Sequence, residues 1–183
     1  MSDYTVQPKN KNELLRIIKD TIRKEGKDCN LNFIDTSKIT SMDSLFYKSP
    51  FKGDISQWDV SHVKNMNRMF EYSSFNSDIS NWDVSHVKNM NCMFHKTKFN
   101  SDISKWNVSK VENMYAMFAD SVFNKDISKW NIRNVRDFRL MFLNSKFNKN
   151  ISRWHIDIAS NATGMFNNCP IKNSFIPKVN QKI

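Results

Sequence analysis

Glycine is nearly missing from this chain, with three residues in 183, which argues against a glycine-rich loop cradling phosphate groups. Cysteine is scarce too. Cys29, Cys92 and Cys169 are odd in number and share no position in the sequence pattern, so neither a CxxC pair nor a disulfide framework is present. Three reduced, mostly buried thiols are expected. No apolar run exceeds a few residues, and no membrane insertion is expected. The start, MSDYTVQPKNKNELL, lacks the basic n-region, apolar stretch and small-residue cleavage site of a secretory signal. As encoded, the chain is therefore expected in the cytoplasm. Acidic residues are lacking in one region only: residues 121–183 hold 3 of them against 11 basic ones, a net of +8, while residues 1–120 have a net of +2.

What is abundant is repetition. A shift of 24 residues superimposes most of the sequence on itself. The copies begin at Phe51, Phe75, Phe99, Phe123 and Phe147, the last being looser. An earlier degenerate copy, Leu31 to Pro50, keeps Ile39, Met42 and Phe46 in register and has Ile34 where later copies carry tryptophan. With 39% hydrophobic residues the chain has ample material for one core, and its length suits one domain.

Within a copy, Ile55, Trp58 and Val60 lie in a β-branched and aromatic stretch, which predicts a short strand. Val63, Met66, Met69 and Phe70 follow at helical spacing, with Ser61, Ser85 and Ser109 placed to cap the helix. One such unit cannot close a core, so stacking is expected to bury columns of Ile, Trp, Met and Phe. The Ser56, Ser80, Ser104, Ser128, Ser152 column and the Asn65, Asn89, Asn113 column are candidates for hydrogen-bond ladders. Leu14, Leu15, Ile18 and Ile22 form an apolar stripe over Asn12–Glu25, with Asn10 and Glu13 resembling a capping box and Gly26 a stop. The reading is an α/β repeat solenoid of strand–short-helix units with a parallel sheet. Its parts are an N-terminal capping helix and leader over 1–30, six copies over 31–170, and a C-terminal cap over 171–183, carrying Phe175 and Ile176.

The recurring string F-N-x-D-I-S-x-W-D-V-S-x-V-x-N-M-x-x-M-F resembles the BspA-type leucine-rich repeat of bacterial surface proteins. It is also similar to repeats in mycoplasma lipoproteins and some protist surface proteins. The resemblance covers Leu31 to about Pro170. It implies a solenoid used for adhesion and protein binding, leaves a surface or secreted location open, and implies no catalytic residues.

Chemistry-bearing residues are sparse. Trp58, Trp82, Trp106, Trp130 and Trp154 share one column, and eleven of the 14 phenylalanines share two others, so the aromatics read as core rather than base-stacking platforms. His62 and His86 share a column that continues as Lys110 and Asn134, too few ligands for a metal ladder. His95 and His155 are isolated in sequence, and no local signature supports a Cys–His nucleophile. Asp54, Asp78, Asp102 and Asp126 read as turn residues accepting nearby backbone N–H groups. No enzyme, cofactor, metal or small-molecule substrate is expected.

The charge polarity is the most informative feature beyond the fold. The position before tryptophan runs Gln57, Asn81, Lys105, Lys129, Arg153, and the position after it runs Asp59, Asp83, Asn107, Asn131, His155. Lys125 and Lys149 form a second basic column, and Arg133, Arg136 and Arg139 follow at spacings of three. At a strand separation of about 4.8 Å, stacked like charges repel by a few tenths of a kcal/mol per pair. Such a patch is not favoured by folding alone. These eight residues (Lys105, Lys125, Lys129, Arg133, Arg136, Arg139, Lys149 and Arg153) are the candidate contact site. The expected function is a protein-binding scaffold whose basic half docks an acidic partner surface. Nucleic-acid binding, or inhibition of a nucleic-acid-handling complex, is the alternative. A merely solvated basic surface is the bland reading.

Overall fold

The computed structural model describes residues 5–180. Helix α1 spans Lys11–Glu25. Asn10 caps it by accepting the Glu13 N–H at 3.0 Å, while Glu13 reaches back to the Lys9 N–H at 2.8 Å. Leu14 and Ile18 are buried, and Gly26 ends the helix at φ 90°. Near the other end, two-residue strands β1 (Ile156–Asp157) and β2 (Val179–Asn180) pair in parallel, with a 3-10 turn at Asn173–Phe175 between them. Phe175 and Ile176 pack partly buried against the core.

Between these ends the expected α/β architecture does not form. Among the described residues the copies contain no helix, and no parallel sheet runs through them. Their parallel contacts are isolated bridges, Ser41↔Asn65↔Asn89↔Asn113↔Asp137↔Asn161. Each copy is a succession of tight turns. Asp54 accepts the Ser56 N–H at 2.8 Å, Trp58 N–H bonds the Ile55 carbonyl, Asp59 accepts the Ser61 N–H, and Val63 N–H bonds the Val60 carbonyl. This sequence of aspartate-anchored turns breaks the expected strand.

The expected helix fails for a different reason. Arg68 and Tyr72, four residues apart, have φ of 55° and 58°. The same two positions are left-handed in every copy, from Ser44 and Lys48 to Gly164 and Asn168. A left-handed L-residue costs about 1–2 kcal/mol. What offsets it is visible in the hydrogen bonds. The N–H groups of Met66, Arg68, Phe70 and Tyr72 donate to the carbonyls of Asn89, Asn91, Met93 and His95 in the next copy. The pattern recurs at every junction from Met42 onward, at 2.7–3.1 Å. With a left-handed residue in each of two successive turns, every second N–H lies along the stacking axis, so these groups bond between copies instead of within a helix. The 3-3-1 spacing of Val63, Met66, Met69 and Phe70 is the period of two four-residue turns with their apolar side chains inward, which sequence alone cannot tell from a helical stripe.

The core follows from this register. Phe46, Phe70, Phe94, Phe118, Phe142 and Phe166 stack at 5.4–5.8 Å between ring centroids. Phe51 to Phe147 form a second file at 6.1–6.3 Å, and the two files interlock at 4.0–4.9 Å. Each offset pair adds about 0.5–1.5 kcal/mol beyond its buried area. The buried tryptophans each donate the indole N–H to an apolar residue's carbonyl one copy back, from Trp58 on Leu31 at 2.9 Å to Trp154 on Ile127 at 3.2 Å. The Asn65, Asn89, Asn113 column is bridged through its backbone, but no side-chain ladder runs along it or along the Ser56 column among the described residues. The Asn65 side chain accepts from Asn67 of its own copy, and the Ser56 column donates its N–H groups locally. The ladder that does form is Asn76, Asn100, Asn124 and Asn148, each side chain accepting the backbone N–H 24 residues on.

One departure from the repeat has a clear steric cause. At Gly53 the segment before the first copy comes close, with Lys52 and Asp54 N–H groups bonding the Lys27 and Cys29 carbonyls. A Cβ at Gly53 would stand 1.8 Å from the Cys29 oxygen. Later copies carry Ser77, Ser101, Lys125 and Lys149 there. Gly53→Ser, although it restores the repeat, is therefore expected to destabilise the chain by about 3 kcal/mol. Lys125→Ser should stay within about 0.5 kcal/mol. Urea unfolding midpoints check both, and a tolerated Gly53→Ser would refute the close approach.

Candidate functional site

The eight sequence-predicted residues do not form one patch. Five of them share one corner. Lys105 and Lys125 line a shallow groove with Asp78, Asp102, Ser80, Asn100 and Ser101. Lys149 and Arg153 line the next groove with Asp126, Ser128 and Asn150. Lys129 acts on Asp126 electrostatically together with Lys149. The aspartate-anchored turns hold this corner in place, because each one fixes the chain immediately before the exposed basic position.

The aspartates in these grooves are committed to their turns. The Ser128 backbone N–H and then its hydroxyl hold Asp126 below the usual carboxylate range, with Lys129 and Lys149 assisting. Ser104 does the same for Asp102, helped by Lys125 and Lys105. None of the five basic side chains makes an ion pair within 4 Å among the described residues. Their charge is tempered by neighbours but tied to none of them.

The three arginines lie apart. Arg136 lines a separate groove with Lys88, Lys110, Glu112 and Asn134. Arg139 is consumed internally: its guanidinium grips both Asp137 oxygens at 3.0 and 2.7 Å and lies 5.2 Å over the Tyr115 ring. Arg133 is exposed, its backbone N–H bonded to Asn131, and it lines neither of the two corner grooves. The spacing of three does not gather them, because the segment is not a helix.

A second constellation escaped sequence reasoning. His95, isolated in sequence, meets Glu71 of the preceding copy through Nδ1 at 2.8 Å and Asp120 of the following copy through Nε2 at 3.3 Å. Asp120 accepts from Asn144 at 3.0 Å, Asn144 accepts from Asn168 at 3.0 Å, and Glu71 also pairs with Arg68. Glu71 is 5% exposed, the only charged residue buried to this degree among the described residues. Cys92 stands beside it, its thiol pushed up to about 11 by burial and then by the Glu71 charge. A cysteine nucleophile is normally activated by a lowered pKa, and this one is shifted the other way. The signal available in the sequence was columnar: Glu71 and His95 share one repeat position, where Ala119 and Leu143 follow. Nearby, Tyr72 is 41% exposed between the ammonium groups of Lys48 and Lys96, at 5.8 and 5.2 Å from the ring centroid.

A family model described as Mycoplasma protein of unknown function, DUF285, matches residues 18–120 and 95–179. No curated protein and no solved structure matches the chain. No helix among the described residues is long and apolar enough to cross a membrane.

The turn aspartates give the corner a pH dependence. Asp102 and Asp126 titrate lower in the folded chain than when unfolded, so their stabilisation is complete above about pH 4 and is lost as pH falls through the folded values. In the last copy Asn150 makes the same turn bond, to the Ser152 N–H at 3.0 Å. An Asp102→Asn, Asp126→Asn double variant should keep the turns and lose less stability than wild type between about pH 5 and pH 3. Urea midpoints across that range measure the difference, and equal losses would show that these carboxylates are not responsible.

Proposed function

The chain belongs to this family of mycoplasma proteins of unknown function, and we propose that it is a non-catalytic protein-binding scaffold whose basic corner docks an acidic partner surface. The observation that carries this reading is the gathering of Lys105, Lys125, Lys129, Lys149 and Arg153 on one corner without internal ion pairs. A charge cluster that folding does not require is available for intermolecular pairing. The three groove aspartates favour a protein over nucleic acid. A continuous phosphate backbone would meet Asp78, Asp102 and Asp126, whereas a partner with separated carboxylates can address the cations between them. The finer likeness to BspA-type leucine-rich repeats, with their adhesive and protein-binding use, supports the same reading.

The separation of the basic residues supplies an internal control. A nuclease-treated capture from a mycoplasma lysate would compare wild type with Lys129→Glu, Arg153→Glu and with Arg136→Glu. A protein retained by wild type and Arg136→Glu but lost by the double variant is the expected result. Unchanged retention by the double variant would overturn the corner as the contact site. Loss of all capture on nuclease treatment would instead establish nucleic acid as the ligand, with an affinity falling steeply with salt.

A further inference from the structure

Glu71, Cys92 and His95 bring a carboxylate oxygen, a sulfur and an imidazole nitrogen within 4.8 Å of one another. They come from two neighbouring copies, and their place in the stack is informative. Glu71 and His95 occupy a column that continues as Ala119 and Leu143. Cys92 lies in another that runs from Ser44 and Arg68 to Ala116 and Leu140. Both columns are apolar in the fourth and fifth copies, so the stack closes without any polar group there. A buried carboxylate costs several kcal/mol unless compensated, yet it has been placed where the repeat accepts alanine or leucine. Arg68 and His95 compensate the carboxylate here, but the stack itself does not require the cluster.

We propose that Glu71, Cys92 and His95 form a binding site for one Zn²⁺-class transition-metal ion, with His95 ligating through Nδ1. The donor set selects the class. Mixed sulfur, nitrogen and oxygen ligands suit zinc and cobalt, whereas magnesium and calcium take oxygen alone, and a single thiol does not make a copper(I) site. The surroundings match what a ligating histidine needs. The other ring nitrogen faces Asp120 Oδ2 at 3.3 Å, and Asp120 is itself held by the Asn144 amide at 3.0 Å. That is a carboxylate–histidine arrangement that fixes the ring and directs Nδ1 to the metal. Binding displaces the Cys92 proton to solvent. Thiolate and Glu71 carboxylate then neutralise the dication, while Arg68 remains paired with the outer Glu71 oxygen. Three protein ligands leave a fourth position for water, and the cluster is close enough to the surface to admit the ion, with the His95 side chain 18% exposed.

The site is independent of the basic corner, and its test does not require the partner. Co²⁺ is titrated into the reduced full-length chain, followed by Zn²⁺ competition. One equivalent should produce a near-ultraviolet thiolate-to-cobalt band and intense visible bands of four-coordinate cobalt, both removed by Zn²⁺. Cys92→Ser should abolish the charge-transfer band, and His95→Ala should weaken binding at least about tenfold. Asp120→Asn should weaken it by about 10–100-fold. The first two variants place serine and alanine where Ser44 and Ala119 already stand in the same columns, so the fold is expected to persist, and circular dichroism verifies it. Absence of stoichiometric Co²⁺ binding by wild type, or a charge-transfer band surviving Cys92→Ser, would overturn the proposal.

Discussion

The stacking of the copies depends on peptide groups turned along the stacking axis. At each junction four N–H groups of one copy meet four carbonyls of the next. Because donor and acceptor belong to alternate peptides, the chain must pass through a left-handed residue twice per copy. Those bonds set the spacing between copies. That spacing places phenylalanine over phenylalanine and lets each tryptophan reach a carbonyl one copy back. The indole bonds and the asparagine ladder add to this register, and each turn buries little on its own.

This explains which parts of the structure were legible in the sequence. The period, the buried columns and the capping helix could be read because they depend on side-chain identity repeated at fixed intervals. Asn10, Glu13 and Gly26 mark α1 by local chemistry that tertiary context does not alter. The backbone path could not be read in the same way. Arg68, Cys92, Ala116 and Leu140 share a left-handed conformation although none is a residue type that favours it, so no local preference announces the turn. The apolar spacing imitates a helix because two four-residue turns and a 3.6-residue helix differ little over eight residues.

The candidate sites divide along the same line. Lys105, Lys129 and Arg153 lie on one corner because they share a column, and a column is visible once the period is known. The spacing of three at Arg133, Arg136 and Arg139 gathers side chains only on a helix, and no helix forms there. Glu71 and His95 also share a column, but Cys92 and Asp120 belong to other columns and approach them only through the path of the turns. Contacts between different columns need the backbone.

The aligned peptides also bear on the charge polarity. Four files of backbone hydrogen bonds point their N–H groups toward the C-terminal end, and two backbone files point the opposite way: Lys64 to Thr40 through Asn161 to Arg136, and the N–H groups of Asn100 to Lys172 on the asparagine ladder. The forward files outnumber the reversed ones, so the C-terminal end carries the partial positive charge of an aligned-peptide dipole. At the N-terminal end the complement is present: the Lys11 ammonium lies 3.4 Å from the Asp43 carbonyl. At the other end the Ala162, Gly164, Phe166 and Asn168 N–H groups have no acceptor among the described residues. A dipole's positive end favours acidic side chains, yet residues 121–183 carry 11 basic and 3 acidic ones. Backbone and side chains thus place the same sign at the same end, an arrangement that costs the isolated chain stability. Under the proposed function, an acidic partner would relieve both terms together.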